Sequence, residues 1–432
     1  RSGIFRMIIW LYNLGMVCYA GLIRLAAMWN PKAKAMLLGW RETKTLNRTQ
    51  IHHQINGVVS PSFELIWIHC ASLGEFEMAK PIAAALQAAS SQRHILFTFF
   101  SPSGYEHSKL ELNQSKAYLP LDRPGSAKRC LAQWNPSAVI FIRYDFWYHF
   151  IQQTLQRKIP CYALGVSLTP YHWLFKTLGK PWLTLLKQLN AIGVINPKMH
   201  RIAIENNLQN TFVFGDTKFN RAVERTLQPS SLPLQLQNWL TQKPTLILGS
   251  AWQPEIDLIL QFFQKNPEVL PQRQILIAPH NINTSFCEAI QNQCIEKIKT
   301  NALRFSECSN LIPSSTQILI LDTIGHLAES YRYGSIAIIG GAFGKGLHNT
   351  IEAAAFGLPL IFGPNHQKFP EAEQFIQAGC GFSVNNQSEF DQTLLNLFQS
   401  YIPNQTHPLG VVAQSVAQNQ KADIIAFCER LS

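Results

Sequence analysis

Ten short runs of branched and aromatic residues constrain the fold of this chain more than any other feature, because they fall into two blocks of five. The first block holds ELIWIH (Glu64 to His69), HILFTFF (His94 to Phe100), AVIFIRY (Ala138 to Tyr144), CYALGVS (Cys161 to Ser167) and AIGVIN (Ala191 to Asn196). The second holds TLILGS (Thr245 to Ser250), QILIAPH (Gln274 to His280), QILILD (Gln317 to Asp322), SIAIIGG (Ser335 to Gly341) and LPLIFG (Leu358 to Gly363). Between the runs lie segments of helical spacing, such as Phe76, Ala79, Ile82, Ala83 and Leu86. Strands apolar on both faces that alternate with helices predict a parallel sheet covered on two sides. The polar, proline-bearing stretch from Arg225 to Pro244 separates the blocks and reads as a linker. The expectation is an α/β chain of two doubly wound domains, 46–224 and 245–432, joined by a linker at 225–244. A cleft between them would face the carboxyl ends of the strands. A length of 432 residues also exceeds what one core usually fills.

Hydrophobic residues make up 47% of the chain and charged residues 15%, which excludes general disorder and leans toward a membrane-associated globular enzyme. The formal charge of +11 suits an anionic partner: nucleic acid, acidic headgroups or a phosphorylated substrate. Nucleic acid is disfavoured, because the aromatic residues sit in apolar runs rather than among basic clusters. The nine cysteines are odd in number and no pair has CxxC spacing, so neither a disulfide framework nor a zinc site is indicated. A reducing cytosol follows, with Cys70 and Cys161 as core filler. Near the start, MIIWLYNLGMVCYAGLI (Met7 to Ile23) is interrupted by Asn13 and closed by Arg24. It falls short of the roughly 20 residues of a confident span. With Trp29, Lys32, Lys34, Arg41 and Lys44 after it, residues 1–45 read as an anchor on the cytoplasmic side of a membrane. The alternative is a helix packed on its own domain. Residues ahead of Met7 are expected to precede the natural start.

Two segments carry chemistry. In HCASLGEFEMAKPIAAAL (His69 to Leu86), Glu75 follows a turn of small residues and precedes an apolar helix. Gly74 permits the turn, and Pro81 predicts a helix that starts near Met78 or kinks. A carboxylate presented at a strand end can take the proton of an attacking hydroxyl. Glu77 reads as a solvated helix residue. In GGAFGKGLHNTIEAAAFGLPLIFGPNHQKFPEAE (Gly340 to Glu373), a strand leads through a glycine-rich loop to a helix stopped by Gly357. Asn349 or Thr350 would cap that helix, whose free N–H groups would receive a phosphate. Glu352 would accept from both hydroxyls of a ribose, or merely complement the helix dipole. Lys345, His348 and Lys368 are candidate phosphate contacts. Neither GxGxxG nor a Walker loop occurs, and no DxD pair marks a metal-held nucleotide sugar, so a metal-independent reaction without a cofactor is expected.

These segments, with FGDTKFN (Phe214 to Asn220) and DTIG (Asp322 to Gly325), occur in an order that resembles the 3-deoxy-D-manno-octulosonic acid (Kdo) transferases of lipopolysaccharide biosynthesis. The resemblance implies a GT-B glycosyltransferase fold of two Rossmann-like domains, with the last helix packing back on the N-terminal domain. It implies transfer of Kdo from CMP-Kdo to the lipid A precursor (lipid IVA), with inversion, at the cytoplasmic face of the cell inner membrane. Glu75 would be the general base. Pro279 and His280, Ile324, Gly325 and His326, and Asn349, Thr350, Ile351 and Glu352 would hold the nucleotide. Two positions depart from the family pattern: His280 stands where many relatives have arginine, and Asp145 where they have a glutamate ahead of a tryptophan. The alternatives are another membrane-associated GT-B transferase using a UDP-sugar, and a non-catalytic nucleotide-binding scaffold.

Overall fold

A computed structural model describes residues 2–53, 63–344, 346–401 and 405–431. The chain divides into two compact units, Arg1–Lys218 with Lys421–Ser432, and Phe219–Gln420. The first contains seven strands: β1 (Glu64–His69), β2 (Arg93–Phe99), β3 (Gln114–Tyr118), β4 (Ala138–Ile142), β5 (Cys161–Val166), β6 (Ala191–Val194) and β7 (Thr211–Val213). They pair in the order β3-β2-β1-β4-β5-β6-β7, every pair parallel. The second contains β8 (Thr245–Ala251), β9 (Gln274–Pro279), β10 (Ala302–Arg304), β11 (Ile318–Ile320), β12 (Gly334–Ile339), β13 (Leu360–Phe362) and β14 (Gly381–Ser383). Their order is β10-β11-β9-β8-β12-β13-β14, again parallel throughout.

The strand order switches sides between β1 and β4 in the first sheet and between β8 and β12 in the second, where β10 also lies outside β11 at the edge. At such a reversal the connecting loops diverge and leave a crevice at the carboxyl ends of the two strands. The strands on either side are buried almost throughout, as in β1, where Leu65 to Ile68 are fully inaccessible. Their rigidity fixes the loops that follow them.

Three local expectations change. The stretch 225–244 is no linker: the helix Thr217–Leu227 runs into it, and the helix Leu234–Leu240 buries Leu236 and Trp239 completely in the second unit. The helix expected to start near Met78 begins at Leu73 and continues through Pro81 to Ala89. Proline there removes one backbone hydrogen bond, at about 3 kcal/mol in an unsupported helix. Burial of Phe76, Ala79, Ile82, Ala83 and Leu86 on one face offsets that cost. The N-terminal helix is Ser2–Ala26, longer than the apolar run alone. Its segment Gly3–Ala26 is long and apolar enough to cross a membrane. One face packs on the first unit through Ile8 and Ala20, the Tyr12 hydroxyl donates to Asp122 Oδ2 at 2.7 Å, and Asn13 Oδ1 lies 2.7 Å from His149 Nε2. The opposite face leaves Met7, Trp10, Leu14 and Val17 exposed. At the other end of the chain, the helix Ile424–Leu431 rests on the first unit, with Phe427 against Tyr162 and Phe214.

Candidate functional site

Each crevice gathers ionisable or aromatic groups, and the two differ in character. In the first unit, β1 ends at His69 and the following helix presents Glu75 in its first turn. Glu75 Oε2 accepts from the Ser72 backbone N–H at 2.9 Å and lies 3.3 Å from the Ser72 hydroxyl, so the carboxylate also caps its own helix. Burial raises its pKa, against the Ser72 hydrogen bonds and the Arg143 charge, which lower it. Glu77 pairs instead with Lys80 at 3.1 Å on the outer face.

Asp145, in the loop after β4, is the second carboxylate of this crevice. Its pKa is pushed up to about 7, first by burial and then by the charge of Glu75. Its Oδ2 is buried without a hydrogen-bond partner and lies 3.8 Å from His69 Nε2. His69 cannot neutralise it, because complete burial drives the imidazole pKa down to about 3. The ring is fixed on both sides: Trp147 Nε1–H donates to Nε2 at 2.9 Å, and Nδ1 lies 2.8 Å from Thr98 Oγ1. With Nε2 accepting, the proton belongs on Nδ1, and Thr98 Oγ1 accepts it beside the N–H of Trp67 at 2.8 Å. Arg143, which begins the same loop at a left-handed φ of 63°, reaches Asp216 at 3.8 Å. A non-glycine residue held there signals a loop shaped by its surroundings. The crevice thus holds two carboxyl groups whose pKa values burial raises, an arrangement suited to acid–base work.

The second unit offers an aromatic cavity of about 670 Å³ beside the ends of β8, β9 and β12. His280 stacks on Trp252 at 4.1 Å and on His348 at 4.6 Å, and Trp252 Nε1–H donates to His348 Nε2 at 3.1 Å. Burial, and then neighbouring His280, lower the His348 pKa, so His348 is a neutral group and not the cation expected beside a phosphate. Buried Glu255 braces the wall, accepting from the backbone N–H of Trp252 and of Gly341, each at 2.9 Å. Gly341 has φ +95°, and a Cβ there would lie 2.4 Å from the Gly346 carbonyl oxygen. Only glycine fits that position.

The other described candidate residues lie apart from this cavity's lining. The helix after the glycine loop is Ile351–Ala355, five residues, so its dipole is weaker than a full-length helix would supply. Asn349 Oδ1 accepts from the Ile351 N–H at 3.0 Å, while Thr350 is buried with its hydroxyl unpartnered. Glu352 pairs with Arg225 at 3.5 Å, and burial raises its pKa against the charges of Arg225 and Arg221. Gly357 ends the helix at φ +81°. Pro279 is buried at the end of β9, Ile324 and Gly325 are exposed, and His326 packs edge-on to Phe305 at 5.9 Å. The aspartate of DTIG is structural: burial opposes its charge, but the Ser306 and Arg304 hydrogen bonds prevail and hold it below the usual carboxylate range. Lys368 is exposed, and Lys345 lies outside the described residues.

Sequence reasoning missed Trp252, Glu255, His69 and Arg143, and treated Asp145 only as a departure from a pattern. The signal for the first two was present, since both follow a predicted strand directly. Among the described residues no group of three or more histidine, cysteine or carboxylate side chains is placed to hold a metal ion.

Comparison with known proteins agrees with the motifs. The family model described as 3-deoxy-D-manno-octulosonic-acid transferase (kdotransferase) matches residues 40–221. A 3-deoxy-D-manno-octulosonic acid transferase of Aquifex aeolicus is 27% identical over 340 residues, covering 77% of this chain and 85% of the relative. A probable mitochondrial one of Arabidopsis thaliana is 29% identical over 344 residues, covering 76% and 75%. Among solved structures, UDP-GlcNAc 2-epimerase from Neisseria meningitidis bound to UDP-GlcNAc is similar with TM-score 0.60 at 12% identity, covering 85% of this chain and 99% of its own. MurG from Acinetobacter baumannii is similar with TM-score 0.53 at 12% identity, with the same coverage. At such identity the structural likeness speaks for the GT-B fold alone. Motifs, family model and relatives together make this chain a GT-B protein related in sequence to the Kdo transferases.

Proposed function

We propose that the chain is a glycosyltransferase that moves Kdo from CMP-Kdo to the lipid A precursor with inversion, the second unit holding the nucleotide and the first activating the acceptor. The reaction class follows the names of the relatives. The observation that carries the chemistry is the pair Glu75 and Asp145 at the winding reversal of the first sheet. Glu75 takes the proton of the acceptor hydroxyl as that oxygen attacks the anomeric carbon, which is worth typically 10²–10⁴-fold in rate. Asp145, its pKa pushed up to about 7, keeps its proton part of the time at neutral pH, which lessens the negative charge facing the sugar acid. On the donor side, Glu352 receives the ribose hydroxyls, and Pro279, His280, Ile324 to His326 and Asn349 to Ile351 enclose the nucleotide. Lys368 and the loop lysine Lys345 supply charge to the departing phosphate. The aromatic cavity beside His280 and His348 supports a flat or ring-shaped group bound nearby.

Attachment to the inner membrane at its cytoplasmic face fits an acceptor that resides in lipid, and the apolar N-terminal helix supports it. The test is product analysis by mass with CMP-Kdo and the lipid A precursor, beside thermal stabilisation by CMP and by UDP. A product heavier by whole Kdo units and stabilisation by CMP are expected. Stabilisation by UDP alone would transfer the assignment to a UDP-sugar enzyme. Nucleotide binding with no transfer to any acceptor would leave a scaffold.

A further inference from the structure

We infer that the first unit contains a second, separate site, a pocket for the phosphomonoester headgroup of a membrane lipid. A cavity of about 500 Å³ opens among the helix Ser2–Ala26, the helix Pro31–Thr45 and the loop and helix that follow β3. Arg24, Arg41, Lys44, Arg123 and Arg129 line it, with Trp40, and among the described residues no carboxylate does. Among the described residues none of the five cations forms an ion pair. Within the wall, Arg123 Nε, Arg129 Nε and Trp40 Nε1 are buried without a hydrogen-bond partner. Five cations gathered around one cavity without a carboxylate among its described lining residues point to an anion that completes it. Guanidinium groups favour a phosphate, whose oxygens match their paired donors.

The surroundings define what carries the phosphate. Arg24 stands between Leu22 and Leu25, both exposed, and Met28 and Trp29 follow, also exposed. A soluble phosphate has no use for an apolar rim, whereas a lipid places its headgroup in the cavity and its chains along that rim. The lining residues Pro120, Leu121 and Arg123 follow the carboxyl end of β3, and Glu75 follows that of β1. Only β2 separates those strands, so the two loops leave the same end of the sheet with β3 and β1 about 10 Å apart. The inference deepens the lipid-acceptor half of the reading above and rests on it.

The experiment measures binding of the full chain to phosphatidylcholine vesicles containing phosphatidic acid, to vesicles of equal surface charge containing phosphatidylserine, and to glycerol 3-phosphate. Arg41→Gln with Arg129→Gln removes two cations from the pocket, and Lys32→Gln with Lys34→Gln removes two from the neighbouring surface. Arg24→Gln with Lys44→Gln, both exposed, is the second pocket pair should the first not fold. Wild type should prefer phosphatidic acid, and either pocket pair should lose about tenfold in that binding, well beyond the surface pair. Equal losses in pocket and surface pairs, or no preference between the two vesicles, would reduce the site to general surface charge and overturn it. Binding of glycerol 3-phosphate as tight as that of vesicles would overturn the lipid assignment. Stabilisation by CMP should be unchanged in every variant, so failure of the donor reading would appear there and not in the vesicle measurements.

Discussion

Glu75 has two jobs in one carboxylate, and they can be separated chemically. As the third residue of its helix it receives the Ser72 N–H, a role glutamine fills as well. Glu75→Gln should therefore fold and bind CMP as wild type does, while transfer falls by about 10²–10⁴-fold in a single-turnover assay. Retained transfer would remove Glu75 from the chemistry. Asp145 gives a prediction of opposite kind. Its pKa is raised from 3.8 to about 7, so its contribution to stability is complete below its unfolded value and is lost as pH rises through about 7. Asp145→Asn keeps the neutral state at every pH. The difference in Tm, variant minus wild type, should grow as pH increases from about 4 to about 8, measured by circular dichroism. At this scale Glu75 was legible because small residues and a helix start adjoin it in sequence. Asp145, His69 and Arg143 were not, because their roles arise from burial and from each other, and they come from the end of β1 and the loop after β4.

At the scale of elements, strength of pattern decided what was readable. All ten apolar runs form strands, whereas β3, β7, β10 and β14 went unread, and these four are the two edges of each sheet. An edge strand has a neighbour on one side only and needs less apolar sequence, as QSKAY in β3 illustrates. Pro81 misled in the other direction, since its local penalty is outweighed by a buried face that local rules do not count. The glycine loop is an element whose sequence and geometry agree. Gly341→Ala would place a methyl group 2.4 Å from the Gly346 oxygen and 2.8 Å from the His348 ring. Loop and ring must shift, and CMP binding should weaken by about tenfold or more in calorimetry, with the melting of the first unit unchanged. Unaltered affinity would mean that this loop does not hold the nucleotide.

At the scale of the whole molecule, the chain leaves the first unit after Lys218 and returns to it at Lys421. The terminal helix belongs to the sheet begun at Glu64, and Phe427 is fully buried there. Phe427→Ala should cost the first unit about 3–5 kcal/mol in urea unfolding, while CMP binding by the second unit stays as it was. Equal destabilisation of both units would contradict this division. The sequence by itself determined the two parallel sheets, the glycine loop, the carboxylate at position 75 and the relationship to a transferase family. Each of these is written within a few residues as an apolar run, a turn or a helix start. Tertiary structure alone decided where each winding reverses, which groups meet there, and that the basic residues near the N-terminus converge with Arg123 and Arg129 on one cavity. Those facts depend on contacts between residues about a hundred positions apart, and hydrophobic burial, which drives such contacts, is not directional and leaves little mark on local sequence.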